Sequence, residues 1–196
     1  GEENSEAGDL IASIYSKMCK STYSLHRMDR TSAELTKVGL NCSLTAKISM
    51  ANTIGDVAIR LGANPDKVLN AIGSDDRIGN QYFKYGFGYG GPCFPRDNRA
   101  FIRCADSVGI DAHMNKACDK SNKEHLLHQL DNFIVNRPIE TPITITDVTF
   151  KKGCASIEES QQLEFAVRLA KMGYNIIIKE TKEVIDQVKN ICGELF

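Results

Sequence analysis

A mainly α region over residues 1–137, followed by a smaller, partial α/β unit over residues 138–196, is the fold class this sequence predicts. Three observations carry it. Apolar residues recur at helical spacing through most of the first region, and glycines and aromatics concentrate between Gly73 and Asp97. Beyond Arg137-Pro138, runs rich in Ile, Thr and Val alternate with helical ones.

Ala7, Leu10, Ile11, Ile14 and Met18 place a first amphipathic helix over about 3–19, followed by an extended piece near 21–28. Asp29, Thr31 or Ser32 can cap a long second helix through Leu35, Val38, Leu44, Ile48, Ile54 and Val57 to about Leu61. Gly62 closes it. Asn64-Pro65 opens a short helix ending near Gly73, with Asn as cap and Pro at the first helical position. A loop follows to Asp97, then a helix over 98–108 and a longer one capped by Asp111 and running through His125 and Leu130. Strands are predicted over 142–150 and 175–181, and helices over 158–171 and 183–192. This β-α-β-α order is the first half of a doubly wound, Rossmann-like sheet.

Hydrophobic residues make up 42% and charged residues 25%, which is ordinary for a globular chain and excludes a disordered or fibrous one. A net charge of -1 without a Lys/Arg block argues against a nucleic-acid partner. Apolar runs are too short to span a bilayer, and the acidic opening Gly1-Glu-Glu-Asn-Ser-Glu6 is unlike a signal peptide, so a cytoplasmic location is expected. Seven cysteines, an odd count without Cys-x-x-Cys or a neighbouring His at metal spacing, predict neither a disulfide framework nor a metal site. Cys19, Cys42, Cys104, Cys118 and Cys192 lie in helical patterns and read as small buried hydrophobes.

The chemistry-bearing stretch is Gly88-Tyr-Gly-Gly-Pro-Cys93-Phe-Pro-Arg-Asp97. Its glycines allow a tight turn and close approach to a ligand, and Cys93 falls just before a helix, whose positive end favours a thiolate. A buried structural cysteine is the competing reading, and Asp97 reads equally as a helix cap. Lys37 and Asn41, four residues apart, stack on one helical face that Leu35, Val38 and Leu40 place near a core. A lysine beside an amide there can stabilise an oxyanion, though the same pair is common on solvated helices. His26, His113, His125 and His128 lie apart from the loop in sequence, and His125 with His128 is expected on an exposed helical side.

The runs Ala33-Glu-Leu-Thr-Lys37-Val-Gly-Leu-Asn41, Asp76-Arg-Ile-Gly-Asn80 and Gly88-Tyr-Gly-Gly-Pro-Cys93-Phe-Pro-Arg-Asp97 resemble the central region of the UDP-glucose/GDP-mannose dehydrogenase family. The likeness runs from Gly1 to about Gly173. It implies oxidation of a sugar C6 alcohol to a carboxylate with two NAD molecules in turn, through a Cys93 thiohemiacetal and thioester. It further implies that Lys37 and Asn41 stabilise the reacting oxygen, and that Asp97 pairs with the lysine and positions water. Arg77, Tyr82, Phe83, Lys84 and Gly90 correspond to the nucleotide-sugar site, and Lys151 to a lysine of the nucleotide-binding C-terminal domain. The region over 1–137 is then a central dimerisation domain, with a homodimer through helix 32–61, and 138–196 is part of a UDP-binding domain.

The resemblance also implies a preceding NAD-binding domain with its GxGxxG and an active-site glutamate, which this sequence lacks, so these residues alone are expected not to turn over. Asp147 stands where the family usually has glycine, Ser156-Ile-Glu-Glu-Ser160 replaces Asp-Thr-Arg-Glu-Ser, and Lys179-Glu-Thr181 replaces Tyr-Asp-Pro. Glu158 in place of that arginine would set an anion against a phosphate, at a cost of about 1–3 kcal/mol. UDP-glucose is the favoured substrate on Phe94-Pro95-Arg96. The rival readings are a divergent non-catalytic relative serving as a dimerisation or binding module, and a cysteine-dependent hydrolase.

Overall fold

The computed structural model describes residues 1–135 and 137–196. They form a helical region followed by a small parallel α/β unit. Packing separates two compact units, residues 1–41 and 42–196.

In the first unit, α1 (Ser5–Met18) begins where Asn4 accepts a 2.9 Å hydrogen bond from the Ala7 N–H, satisfying a helix donor with no partner of its own. The extended stretch returns along it: the Glu2 N–H donates to the Met28 carbonyl at 3.0 Å, and Arg27 pairs with Glu2 and Asp9. Asp29 caps α2 (Arg30–Arg60), accepting from the Ser32 hydroxyl at 2.6 Å and the Ser32 N–H at 2.9 Å. Those bonds, the hydroxyl's first, hold the Asp29 carboxyl below its usual range.

The second unit takes the remainder of α2 and then α3 (Pro65–Gly73), capped by Asn64 as its sequence requires. The loop over 74–93 leads to α4 (Phe94–Ser107), which starts four residues earlier than the expected 98. The Gly/Pro run conceals that start. Pro95 sits in the first turn, where its missing N–H costs nothing and its fixed φ suits a helix. Helix α5 (His113–Ile134) has Ala112, not Asp111, at its N-cap. Asp111 is exposed and pairs instead with Lys116 at 2.8 Å, because Lys116 offers a full charge within one turn.

Strands β1 (Ile143–Thr146) and β2 (Ile176–Lys179) pair in parallel, Ile143 opposite Ile176 and Ile145 opposite Ile178. They are joined through α6 (Gln161–Lys171) and followed by α7 (Lys182–Cys192), capped by Ser160 and Thr181. Asp147 ends β1 at φ 56, a left-handed position that Asp tolerates better than most side chains, which shortens the strand from the expected 142–150. Across the sheet end, the Val148 N–H donates to Glu180 at 2.8 Å.

Packing does not divide this unit at 137/138. Leu126 and Leu130 of α5 share one apolar cluster with Ile143, Phe165, Leu169 and Ile176, while Val148, Leu163, Val184 and Val188 form a second. A third, of Ala51, Leu69 and Phe83, lies under the loop. Leu169 is fully buried in the first cluster, so Leu169→Ala is expected to cost about 2–5 kcal/mol, read as a lowered denaturant midpoint. A loss under about 0.5 kcal/mol, the range of a surface substitution, would mean that this cluster does not hold the helical region to the sheet.

Candidate active site

The loop over 74–93 has no helix or strand of its own, so its shape comes from what its main chain meets. Gly86 donates to Asn52 on α2 at 3.1 Å, and its carbonyl accepts from Gln129 at 3.1 Å and faces His125 Nε2 at 2.7 Å. Asn122 holds Tyr89 from both sides, accepting its N–H at 2.8 Å and donating to its carbonyl at 2.9 Å. The Gly91 N–H donates to the Glu158 carbonyl at 3.0 Å. Tyr85 donates to Asp56 Oδ1 at 2.9 Å. Burial, and then that bond, pushes its phenol above the usual range. The ring reaches α2 because residue 55 is glycine; a Cβ there would overlap it.

Cys93 stands at the end of this loop as the N-cap residue of α4, exposed, with the Asp97 N–H donating to its carbonyl at 2.8 Å. Arg96 brings Nη2 to 4.0 Å from Sγ, and also pairs with Asp97 Oδ1 at 3.2 Å. A reactive sulfur here lies beside a guanidinium, at the N-terminal end of a helix. Asp97 is 7% exposed and lies inside the first turn of α4 rather than at its cap. Cys42, buried, directs its thiol toward the Asp97 carbonyl at 4.0 Å.

The remaining residues singled out by sequence fall in different settings. Tyr82 is exposed at φ 60 and meets the Phe94 ring edge-on at 6.3 Å, which brings the 82–84 stretch beside the start of α4. Phe83 is 4% exposed, its ring in the core with Ala51 and Leu69. Lys84 is exposed, and so is Arg77, whose guanidinium is held by Asp75 at 2.6 Å. Gly90 lies against the Glu159 carbonyl, where a Cβ would overlap it, and Gly91 lies against the Phe150 ring next to the exposed Lys151. In the first unit, Lys37 and Asn41 lie one turn apart on α2. Asn41 is buried, but Lys37 is exposed, as are Leu35 and Leu40, which corrects the expectation of a lysine near a core.

Other expectations change as well. His125 is 3% exposed, not on a solvated side, with Nδ1 at 2.7 Å from Asp56 Oδ2. Cys19 and Cys104 are exposed rather than buried. Sequence reasoning missed Asn52, Asp56, Asn122 and His125. The available signal was their helical spacing: Asn52 and Asp56 are four apart on α2, and Asn122 and His125 sit beside the apolar Leu126 and Leu130 on α5.

Glu158 and Glu159 precede Ser160 at the start of α6, and Arg99 of α4 pairs with Glu159. Neither strand-to-helix connection among the described residues has closely spaced glycines. The first carries Asp147, Glu158 and Glu159 instead, so these residues do not fit a dinucleotide pyrophosphate. Among the described residues no group of His, Cys, Asp and Glu is gathered to hold a metal ion, and no helix is long and apolar enough to cross a membrane.

A cysteine at a helix start, delivered by a glycine-rich loop in a helical region that leads into a parallel α/β unit, fits the resemblance to nucleotide-sugar dehydrogenases that the sequence carries. Residues 31–124 match the central domain of the UDP-glucose/GDP-mannose dehydrogenase family, which makes the chain a relative of nucleotide-sugar dehydrogenases. Among individual relatives, the UDP-glucose 6-dehydrogenase of Pseudomonas aeruginosa is 30% identical over 179 residues, 90% of this chain and 40% of that protein. UDP-glucose 6-dehydrogenase TuaD of Bacillus subtilis is 30% identical over 147 residues, 74% of this chain and 32% of its own. A solved UDP-glucose dehydrogenase from the archaeon Pyrobaculum islandicum matches with a TM-score of 0.85 at 28% identity, over 100% of this chain and 45% of that one. The chain thus spans less than half the length of these relatives.

Proposed function

We propose that these residues belong to an NAD-dependent dehydrogenase that oxidises the C6 alcohol of a nucleotide sugar to a carboxylate, with UDP-glucose as substrate and Cys93 as nucleophile. The observation that carries this reading is the exposed Cys93 at the N-terminus of α4, with its loop fixed at Gly86, Tyr89 and Gly91. The first oxidation yields an aldehyde, which has no second hydride to give easily until a nucleophile adds. The Cys93 thiolate adds to the carbonyl carbon, and the oxygen takes a proton to give a thiohemiacetal. NAD, as co-substrate, accepts one hydride in each oxidation. The second oxidation leaves a thioester, and water attacks its carbonyl, releasing the uronate and returning the proton to the thiol.

Asp97, buried one turn along α4, is suited to orienting that water. Lys37 and Asn41 are assigned to the reacting oxygen on family likeness. For the nucleotide sugar, Arg77, Tyr82, Lys84 and Lys151 offer exposed side chains and Gly90 offers main chain, whereas Phe83 contributes by supporting the loop from below. A homodimer through α2 belongs to the same reading, supported by the exposed Leu35, Leu40, Met50 and Val57 along that helix.

The test is NADH production by the gene product that carries these residues, offered UDP-glucose, GDP-mannose and UDP-N-acetylhexosamines separately. NADH with UDP-glucose, at two per uronate formed, supports the reading. No NADH from any sugar with a folded protein would overturn it in favour of a non-catalytic dimerisation or binding module.

A further inference from the structure

Asn122, His125 and Gln129 lie on one side of α5, at intervals of three and four residues, and all three meet the main chain of the glycine loop. Their partners are Gly86 and Tyr89, between 33 and 43 residues away in sequence. The Gly86 carbonyl can only accept, so His125 Nε2 carries a hydrogen and donates it; Nδ1 meets Asp56 Oδ2, and Asp56 Oδ1 takes the Tyr85 phenol. Tyr85 also packs edge-on against the imidazole at 5.4 Å. One buried histidine therefore ties α2, α5 and the loop at a single point.

We propose that His125 is a positioning residue for the Cys93 chemistry: through Gly86, and together with Asn122 at Tyr89, it fixes the loop that delivers the thiol, without touching the reacting atoms. This rests on the dehydrogenase reading above. The physical ground is that an irregular loop is as rigid as its long-range bonds, and His125 and Asn122 are buried side chains, so that a lost bond leaves a buried polar group unsatisfied. The Arg99–Glu159 pair, between α4 and the start of α6, is by contrast exposed and screened. Cys93 is seven residues beyond Gly86, and the chain between is held at Tyr89 and Gly91, so a shift at Gly86 is carried forward.

The experiment compares wild type with His125→Ala and His125→Gln, the glutamine keeping an N–H donor within reach of Gly86. Amide hydrogen exchange over residues 86–91, the rate of Cys93 alkylation, and NADH kinetics are read on each. In His125→Ala, loop exchange is expected to rise about tenfold or more while α6 and α7 stay protected. Its kcat is expected to fall about tenfold to a hundredfold, with KM changed less than about threefold, the pattern of a displaced reacting group. Alkylation of Cys93 is expected to change at least about threefold, and His125→Gln is expected to restore most of all three. Unchanged loop exchange, exchange that rises equally throughout the chain, or a glutamine variant no better than alanine would each overturn the proposal. If wild type gives no NADH with any sugar, the dehydrogenase reading fails by itself. Loop exchange and alkylation then decide whether His125 sets the position of Cys93.

Discussion

Cys93→Ala is expected to remove NADH formation, by about a thousandfold or more, while leaving the fold and the melting temperature close to wild type. The size follows from the role: without a thiol the aldehyde has no nucleophile to turn it into a species that can lose a second hydride, so the four-electron reaction stops halfway. The small stability effect follows from exposure. Cys93 fills no cavity, and its side chain caps nothing, so alanine removes no packing and no backbone bond. Cys93→Ser keeps the shape but is expected to be almost as slow, because a hydroxyl at neutral pH is far less ionised than a thiol. The measurement is the NADH burst and steady state with UDP-glucose, beside a melting curve. A Cys93→Ala protein that still forms two NADH per uronate would end the thioester mechanism. One that forms one NADH and releases an aldehyde would support it most directly.

Gly91→Ala should be the most damaging single-methyl change in the loop. Gly91 has φ 82, a conformation that costs an L-residue about 1–2 kcal/mol, and its added Cβ would enter the Phe150 ring, with an overpacking cost of about 1–3 kcal/mol. Together these correspond to a fall in melting temperature on the order of 5–15 °C for a chain of this size. The displacement also reaches the thiol, because Gly91 is two residues before Cys93 and its N–H is the link to Glu158. Gly86→Ala is the control: it lies in the same loop, but its backbone is not left-handed and nothing lies within 4 Å of the added Cβ. Its expected effect is within about 0.5 kcal/mol. Equal losses in melting temperature for the two variants would show that the loop tolerates no side chain anywhere, and the conformational argument at Gly91 would fall.

What the sequence determined by itself is what depends on residues three or four apart. Asp29 and Asn64 with Pro65 each start a helix by offering an oxygen to an N–H three residues on, a signal complete within one turn. The Ile- and Val-rich strands announce themselves by composition, and the Gly-Gly-Pro-Cys93 run by its glycines. Family likeness, not spacing, gave Lys37, Asn41 and Arg77 their roles. Tertiary structure alone decided the rest. His125 and His128 share a helix and a residue type, yet one is buried because Gly86 and Asp56 come to it and the other is exposed. Phe83 and Tyr82 are neighbours in an aromatic loop, and only the positions of Ala51 and Leu69 send Phe83 to the core. Their surroundings are assembled from chain segments tens of residues apart, and burial is a property of that assembly, so no local pattern in the sequence could have fixed it.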